Sequence, residues 1–265
     1  MTTFLDRLYA AKAASLPGEE AREPYDDLVR RALARRPERR SFAQALRDAR
    51  GPAIIAEIKR ASPSVGLIAR NFDAALVASR YELAGVDAIS VLTEADHFLG
   101  DLSYLDVARA HGTRPVLRKD FLSTPYHIVQ SAAYGADAVL LIVAGLDERT
   151  LRALSAEAAR FALDTLVEVH DEAELAVAAS IGARIVGINN RDLRTFATDL
   201  GVTQHLLPSV PAGTIAISES GVTDPADVAT LYECGARGFL IGEALMRADD
   251  PSAFVEGLKA VAGRR

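Results

Sequence analysis

The sequence predicts a single (β/α)8 TIM barrel of the α/β class, preceded by a helical N-terminal extension. Three observations support this fold: a length of 265 residues, eight short apolar runs that alternate with helical stretches, and a glycine pattern that recurs at every second run. Barrels of this class commonly contain about 250 residues. We therefore expect one domain over residues 1–265, with the extension at 1–50 and the barrel at 51–265.

The N-terminal 50 residues show helical spacing and no good strand. Apolar side chains recur at helical intervals at Phe4, Leu5, Leu8 and Tyr9, and again at Leu28, Val29 and Leu33. Pro24 suits the start of a helix, and Ser41 is placed to cap a short helix at 42–47. We interpret the Arg-rich run at 35–40 as a solvated connection, with a phosphate or partner contact as the alternative.

From residue 51 onward, short apolar runs indicate eight parallel strands. The runs lie at 53–58, 88–92, 115–117, 138–143, 165–169, 185–188, 214–217 and 238–241, and helical segments such as 74–83, 148–161 and 172–181 separate them. Each run is too short for a helix and apolar on both faces, as a parallel strand buried on both sides must be. An open doubly wound sheet is the alternative. No GxGxxG or GxxxxGK fingerprint follows any run, which disfavours that sheet.

A weak internal repeat also favours eight strands. Gly85, Gly135, Gly182 and Gly235 each follow a predicted helix and precede a predicted strand. Glycine suits the left-handed position after a helix. The glycines are 50, 47 and 53 residues apart, about two strand–helix units per step, so they mark strands two, four, six and eight.

Composition and charge disfavour several classes of function. The net charge of −6 and the pI near 5.5 give no bulk attraction for nucleic acid or an anionic membrane. No apolar run approaches the roughly 20 residues of a membrane span, and the N-terminus lacks the layout of a signal peptide. The one cysteine, Cys234, favours a reducing, cytoplasmic location, and we interpret it as a small core residue. The five histidines show no paired spacing for a metal site.

The use of lysine singles out two positions. Only 4 of the 30 basic residues are lysine, so arginine carries the ordinary surface charge. Lys59 and Lys119 each stand beside an arginine at a strand end. An ammonium there can shift its pKa and donate a proton, which a guanidinium cannot. We interpret both as functional residues and Lys12 and Lys259 as surface residues.

Polar residues at the carboxyl ends of the strands are the candidates for an active site, because barrel enzymes place it there. Side chains alternate along a strand, so Glu57 and Lys59 should share the inner face while Ile58 packs on the helices. A salt bridge at a strand end is the alternative for this pair. In the third strand, Lys119 shares a face with Phe121.

Strands five and six end on further candidates. Glu168 is a lone carboxylate among apolar residues, a setting that raises a pKa and suits proton transfer; the alternative is a partner for a nearby lysine. Asn189 should face inward and orient a substrate hydroxyl. We interpret Asn190 as a turn residue and His170 as a strand-end residue.

Strands seven and eight end in loops that are typical of a phosphate site. Gly221 and Gly242 allow close approach of the backbone to a ligand, and Ser220 adds a hydroxyl. The carboxylate of Glu243 would repel phosphate, so we expect only its backbone N–H to face a ligand.

These strand ends resemble the motifs of the indole-3-glycerol-phosphate synthase family. Residues 57–64 are similar to the characteristic E-x-K-x-x-S-P-S signature of that family. The blocks at 117–121, 166–169, 187–193, 218–221 and 240–246 resemble later blocks of the family, in the same order. The loop after the second strand also resembles the family's at 93–94 and 98–100, but Asp101 stands where the family usually has serine. The resemblance covers residues 1–263.

The resemblance implies a cofactor-free carboxy-lyase of tryptophan biosynthesis. It would close, decarboxylate and dehydrate 1-(2-carboxyphenylamino)-1-deoxyribulose 5-phosphate to indole-3-glycerol phosphate. Lys119 is implied as the general acid for ring closure. Lys59 is implied as the group that holds the anthranilate carboxylate, with a second role as acid in dehydration, and Glu168 as the general base or an acid–base partner. The remaining implied catalytic residues are Glu57, which would orient Lys59, and Asn189 and Ser220, which would complete the polar ring. The division of proton transfers among Lys59, Glu57 and Glu168 stays open.

The resemblance also implies a set of residues that bind the phosphorylated substrate. The set is Ser62, Phe98, Phe121, Arg191, Glu219, Gly221, Leu240, Gly242 and Glu243. Phe98 and Phe121 would line the anthranilate pocket, and Arg191 would be the main charge contact of the phosphate. A phosphoribosylanthranilate isomerase-like barrel and a catalytically inactive phosphate-binding barrel are the alternatives. We expect a monomer, with contacts to other enzymes of tryptophan biosynthesis left open.

Overall fold

The computed structural model describes residues 3–192 and 194–263 and contains the predicted closed barrel. Its eight parallel strands are β1 Ala53–Ile58, β2 Ala88–Leu92, β3 Val116–Lys119, β4 Ala138–Ile142, β5 Asp164–Val169, β6 Ile185–Asn189, β7 Ile215–Glu219 and β8 Gly238–Ile241. Each strand pairs with its neighbours in chain order, and β8 closes onto β1 with Gly238 opposite Ala53. The open-sheet alternative is therefore excluded.

Three strands, β3, β6 and β7, extend beyond the predicted apolar runs at their carboxyl ends. Lys119 pairs with Leu92 of β2, and Asn189 of β6 pairs with Glu219 of β7. The backbone continues the ladder although these side chains are polar. Pairing fixes the direction in which each side chain points, so these functional candidates lie on rigid strand ends rather than in loops.

Twelve α-helices among the described residues surround the strands or lie at the two ends of the barrel. They are α1 Phe4–Arg22, α2 Tyr25–Arg35, α3 Phe42–Asp48, α4 Ala74–Leu83, α5 Tyr104–Ala110, α6 Pro125–Ala133, α7 Glu148–Arg160, α8 Glu172–Ser180, α9 Gly201–Leu206, α10 Pro225–Glu233, α11 Glu243–Arg247 and α12 Pro251–Lys259. The predicted start after Pro24 is confirmed, and Ser41 caps α3 by accepting a hydrogen bond from the N–H of Gln44 at 3.1 Å. The four repeat glycines have φ between +73° and +114°, which confirms their left-handed role.

The alternation of side chains along the strands divides the core into two clusters. One cluster fills the barrel interior and includes Ile55, Leu117, Leu166 and Ile217. The other lies between strands and helices, where Ile58 packs as predicted. Helix α3 contributes Phe42, Ala43 and Leu46 to the interior cluster, and α1 contributes Leu5. The extension thus takes part in the barrel core.

The interpretation of the Arg-rich run at 35–40 as a solvated connection is wrong for Arg39 and Arg40. In the Arg-rich run, Arg39 donates to the carbonyls of Ala132 and Ala136 at 2.6 and 2.8 Å. Arg40 donates to the carbonyl of Arg114 at 2.9 Å. These guanidinium groups bind backbone carbonyls at the end of α6 and in the segments before β3 and β4. This end of the run is therefore an internal tie rather than a solvated connection.

The interpretation of Cys234 as a small core residue is also wrong, since it is the C-cap residue that follows α10 and is exposed.

The two lysines interpreted as surface residues are also tied into the fold. Lys259 donates to the carbonyl of Gly85 at 2.7 Å and lies 2.9 Å from the carboxylate of Asp87. Lys12 of α1 lies 2.9 Å from the carboxylate of Asp120. Each ammonium joins a helix to a distant segment, which the local sequence does not reveal.

A short antiparallel hairpin after β1 was missed by the sequence pattern. It pairs Ala61–Ser62 with Gly66–Leu67. Two-residue strands carry too little periodicity to be recognised. Among the described residues, no helix combines the length and the apolar character that crossing a membrane would require.

Candidate active site

A cavity of about 480 Å³ opens at the carboxyl ends of the strands. All fifteen residues predicted for catalysis or substrate binding line it: Glu57, Lys59, Ser62, Phe98, Lys119, Phe121, Glu168, Asn189, Arg191, Glu219, Ser220, Gly221, Leu240, Gly242 and Glu243. They come from six strands, the segments that follow those strands, and the loop after β2. Alternation within each strand turns these side chains inward, above the apolar interior of the barrel.

Two ion-paired lysines form the polar centre of this cavity. The ammonium of Lys119 lies 3.1 Å from Glu168 Oε2 and 2.8 Å from Glu219 Oε2. The ammonium of Lys59 lies 2.6 Å from Glu57 Oε1. The predicted common face of Glu57 and Lys59 is confirmed, and their salt bridge exists as well. Holding these five charged groups in one cavity costs more desolvation free energy than a single structural salt bridge would. The cluster is therefore a functional candidate.

Lys119 is held in its charged form. Burial opposes the charge, but the carboxylates of Glu168 and Glu219 outweigh burial and hold the pKa of Lys119 above its ordinary value. The ammonium is therefore protonated throughout the neutral pH range. It can donate a proton or a charged hydrogen bond to a ligand in the cavity.

The expectation of a raised pKa at Glu168 is wrong. Burial does oppose its ionisation, but Lys119, His170 and a hydrogen bond from Asn189 hold the pKa of Glu168 below its ordinary value. Burial instead raises the pKa of Glu219 to about 7, because Lys119 offsets the desolvation only in part and the charge of Glu168 adds to the rise. Glu219 is therefore the carboxyl group that changes its protonation near neutral pH.

Asn189 holds Glu168 by a hydrogen bond, and His170 lies beside the same carboxylate. Asn189 Nδ2 donates to Glu168 Oε1 at 3.1 Å. His170 Nε2 lies 3.5 Å from the same oxygen, and its Nδ1 lies 3.0 Å from Glu174 Oε2. Burial would lower the pKa of His170, but Glu174 and Glu168 raise it. His170 is thus a partner of the site and not merely a strand-end residue.

The loop after β7 has an unusual backbone. Ser220 and Gly221 both have positive φ, at 64° and 85°. Asn190 holds this loop, because its Nδ2 donates to the carbonyls of Glu219 and Ser220, each at 3.0 Å. The interpretation of Asn190 as a turn residue is therefore wrong: its side chain is buried and ties β6 to the next loop.

The loop after β8 approaches the lysine pair closely. A Cβ atom at Gly242 would lie within 3 Å of both the carboxylate of Glu57 and the ammonium of Lys59, so a larger residue would displace these two charged groups. Glu243 begins α11, and its carboxylate lies 3.0 Å from Arg247 Nε. This pairing engages the Glu243 side chain with Arg247, as expected if only its backbone is to meet an anion.

The apolar wall of the cavity comes partly from the N-terminal extension. The rings of Phe98 and Phe121 lie 6.3 Å apart, centre to centre. Phe4, Leu5 and Leu8 of α1 face the same cavity. Their helical spacing was visible in the sequence, but nothing in it indicated that this face meets the active site. Phe196 and Arg247 also line the cavity and were missed.

Comparisons with known proteins identify the family. The chain matches the family described as indole-3-glycerol phosphate synthase over residues 5–258. Among named indole-3-glycerol phosphate synthases, that of Bordetella pertussis is 44% identical over 263 residues, covering 98% of this chain and all of its own. That of Roseiflexus castenholzii is 44% identical over 266 residues, covering 97% of this chain and 98% of its own.

The chain belongs to the indole-3-glycerol phosphate synthase family. This membership favours the synthase over the isomerase-like and inactive alternatives. Solved structures of other enzymes share the fold. A 3-hexulose-6-phosphate synthase from Salmonella typhimurium aligns with a TM-score of 0.63 at 16% identity, covering 79% of this chain and 97% of its own. KGPDC from Streptococcus mutans aligns with a TM-score of 0.62 at 14% identity, covering 81% of this chain and 99% of its own.

Asp101 is where the chain departs from the pattern of the synthase family. It does not face the cavity: its Oδ1 accepts hydrogen bonds from the N–H and hydroxyl of Ser103 at 2.8 and 2.6 Å. The position of Phe98 in the same loop depends instead on Glu94, whose carboxylate accepts from the N–H of Phe98 at 3.0 Å. Glu94 is therefore a support of the aromatic wall that the sequence reasoning did not assign.

Proposed function

We propose that the charged cluster in the cavity performs the synthase reaction on 1-(2-carboxyphenylamino)-1-deoxyribulose 5-phosphate. The products are indole-3-glycerol phosphate, CO₂ and water. One observation carries the proposal: the ammonium of Lys119 lies between the buried carboxylates of Glu168 and Glu219, in one cavity with the Lys59–Glu57 pair. Ring closure needs a proton donor at a carbonyl oxygen, and the later steps need further proton transfers at the same carbons.

Lys119 is the proposed general acid for ring closure. As the aromatic carbon that carries the carboxylate attacks the ribulose carbonyl carbon, the carbonyl oxygen gains the electron pair and takes the proton from Lys119 Nζ. The raised pKa of Lys119 keeps the donor protonated before the reaction. Glu168 and Glu219 hold the ammonium in place, so little reorganisation is needed when charge develops on the oxygen.

Lys59 is the proposed partner of the substrate carboxylate. When CO₂ leaves, the electrons of the broken carbon–carbon bond return to the ring and restore its aromaticity. The hydroxyl group formed in ring closure then leaves as water, which requires a proton donor at oxygen and an acceptor for a carbon-bound proton. We assign the donor to Lys59, oriented by Glu57, and the acceptor to the ionised Glu168.

Glu219 takes a different role from the one that the resemblance implied. With a pKa of about 7, it can accept or return a proton at neutral pH, whereas Glu168 stays ionised there. We propose that Glu219 exchanges the proton that Lys119 loses, in addition to contacting the substrate. Asn189 and Ser220 complete the polar ring around the ribulose hydroxyls.

The loops after β6, β7 and β8 are the proposed phosphate site. Arg191 faces the cavity, and its Nη1 donates to the carbonyl of Phe196 at 3.0 Å. We assign the rest of its guanidinium group to the phosphate. Gly221 and Gly242 line the same cavity, and we assign their backbone N–H groups to the phosphate, as in other barrel enzymes that bind phosphate. Ser62 adds a hydroxyl from the segment after β1, and Leu240 contributes apolar surface beside it.

The experiment that tests this function is a direct assay. Purified protein is mixed with the carboxyphenylamino-deoxyribulose phosphate, and indole fluorescence is followed against a sample without protein. The proposal predicts a fluorescent product with one CO₂ released per indole ring. Folded protein that forms no indole product would contradict it and would favour an inactive phosphate-binding barrel.

The form in which the enzyme acts also stays a proposal. We propose a single-domain monomer in the cytoplasm that works without a cofactor. Light scattering of the purified protein tests the monomer, because a dimer would double the mass of 28.3 kDa. Metal-chelating buffer should leave the rate unchanged, and a loss of activity in that buffer would contradict the cofactor-free reaction.

A further inference from the structure

The carboxylate of Asp120, the residue after Lys119, is held at both oxygens. Its Oδ2 accepts from Lys12 Nζ at 2.9 Å, from Thr93 Oγ1 at 2.7 Å and from Arg118 Nη2 at 2.8 Å. Its Oδ1 accepts from the backbone N–H of Phe121 at 2.8 Å. Asp120 is 2% exposed, so these bonds form in a dry environment where they are strong.

Helix α1 reaches this cluster at a second point. Glu19 Oε2 accepts from Gln130 Nε2 at 3.2 Å, and Gln130 Oε1 accepts from Arg118 Nη1 at 3.0 Å. The N-terminal helix is therefore connected to both residues that flank Lys119. One connection is direct, through Lys12 and Asp120, and the other runs through Gln130 and Arg118.

Lys12 itself does not face the substrate cavity. Its side chain is 15% exposed, and the carboxylate of Asp120 is fully buried. A mostly buried lysine, in a chain that otherwise uses arginine for surface charge, indicates a specific contact. Because Asp120 stands between Lys119 and Phe121, its orientation sets the backbone from which both of these cavity side chains project.

We propose that Lys12 is a positioning residue of the synthase reaction. Through Asp120 it fixes the end of β3, and with it the Lys119 ammonium and the Phe121 ring. The extension thus contributes to the chemical step as well as to the apolar wall. This inference rests on the proposed role of Lys119 as the acid.

The test compares Lys12→Met with a matched lysine elsewhere. Lys259 also joins a helix to a carboxylate, because its Nζ lies 2.9 Å from Asp87 Oδ2, but this pair lies away from the cavity. We expect Lys12→Met to lower the single-turnover rate about tenfold, since small misplacements of catalytic groups are costly. KM should change by less than about twofold, because uniform binding is retained. Lys259→Met should lower the melting temperature but keep the rate.

Conservative variants complete the comparison. Lys12→Arg should restore most of the rate, because a guanidinium can still pair with Asp120. Lys12→Gln removes the charge with less disturbance and should lose rate as Lys12→Met does, which covers the case that the Met variant does not fold.

Three results would overturn the inference: an unchanged rate in Lys12→Met and Lys12→Gln, a raised KM with an unchanged rate, or an equal loss of rate in Lys259→Met. The second result would mean that Lys12 only holds α1 over the substrate. Lys119→Ala, measured alongside, separates the two levels of the argument. If that variant stays active, the proposed acid is wrong; if it is inactive while Lys12→Met is fully active, only the positioning role is wrong.

Discussion

Replacing Glu219 with Gln tests which carboxyl group exchanges a proton near neutral pH. Glu219 is 1% exposed, and burial raises its pKa from 4.5 to about 7 even though Lys119 Nζ lies 2.8 Å away. Gln has nearly the same shape and can still accept a hydrogen bond from Lys119. It cannot ionise, so the substitution isolates the proton.

The size of the effect follows from the pKa of Glu219 in the folded and unfolded chain. A rise from 4.5 to about 7 corresponds to about 3 kcal/mol, at roughly 1.4 kcal/mol for each pKa unit. Because the folded pKa is the higher one, the folded chain binds this proton more tightly. The resulting stability is present in full below pH 4.5 and is lost as the pH rises through about 7. Glu219→Gln avoids that loss.

The assay is denaturant unfolding of both proteins at several pH values between 5 and 8. The free energy of unfolding of Glu219→Gln, relative to the parent, should rise by up to about 3 kcal/mol across this range. The rate–pH profile of the parent should contain a limb near pH 7 that the variant lacks. Glu82→Gln is a control, because hydrogen bonds from Thr113 and the charge of Arg114 lower the pKa of Glu82 against burial. Its relative stability should stay constant over this range. A constant difference in stability for Glu219→Gln, or a rate–pH limb that the variant keeps, would show that Glu219 does not exchange a proton near neutral pH.

Two further substitutions test the substrate contacts. Gly242→Ala places a methyl group against Glu57 and Lys59 and should lower kcat about tenfold or more. Gly257→Ala is the control, because its methyl group meets only Pro225 at 3.7 Å and should leave kcat unchanged. Equal kcat values in the two variants would contradict the close approach of Gly242 to the two charged groups. Arg191→Met should raise KM about tenfold or more and weaken inhibition by inorganic phosphate, since a charge-assisted contact contributes about 1.5–3 kcal/mol. Arg194→Met is the control, because Arg194 forms an exposed ion pair in the same loop. If KM is no higher for Arg191→Met than for this control, Arg191 does not bind the phosphate.

The barrel and the set of residues that line its cavity could be predicted, because both depend on local sequence pattern. Alternation along β1 places Glu57 and Lys59 inside and Ile58 outside wherever the strand lies in the barrel. The same rule, applied at eight strand ends that meet on one face, brings distant residues into one cavity. Two glycines at the ends of β7 and β8 indicated, by the same kind of position rule, the loops that we propose for the phosphate.

The errors concern pairings across the chain that no local pattern contains. The direction of the pKa shift at Glu168 depends on Lys119, and the shift at Glu219 depends on both. Lys12 looks like a surface residue until α1 is placed against Asp120, which lies 108 residues away in the sequence. Arg39 likewise finds its carbonyl acceptors on α6 and beyond. Such partners follow from tertiary packing and not from periodicity.

The most direct test of Lys119 as the general acid is the rate of indole formation by Lys119→Ala under single-turnover conditions. We expect the variant to fold, bind substrate and form the indole ring at least about a hundredfold more slowly than the parent, as when a positioned acid is removed. Circular dichroism and phosphate binding check that the barrel and the proposed phosphate loops survive the substitution. A folded Lys119→Ala protein that closes the ring at a rate near that of the parent would show that Lys119 is not the acid.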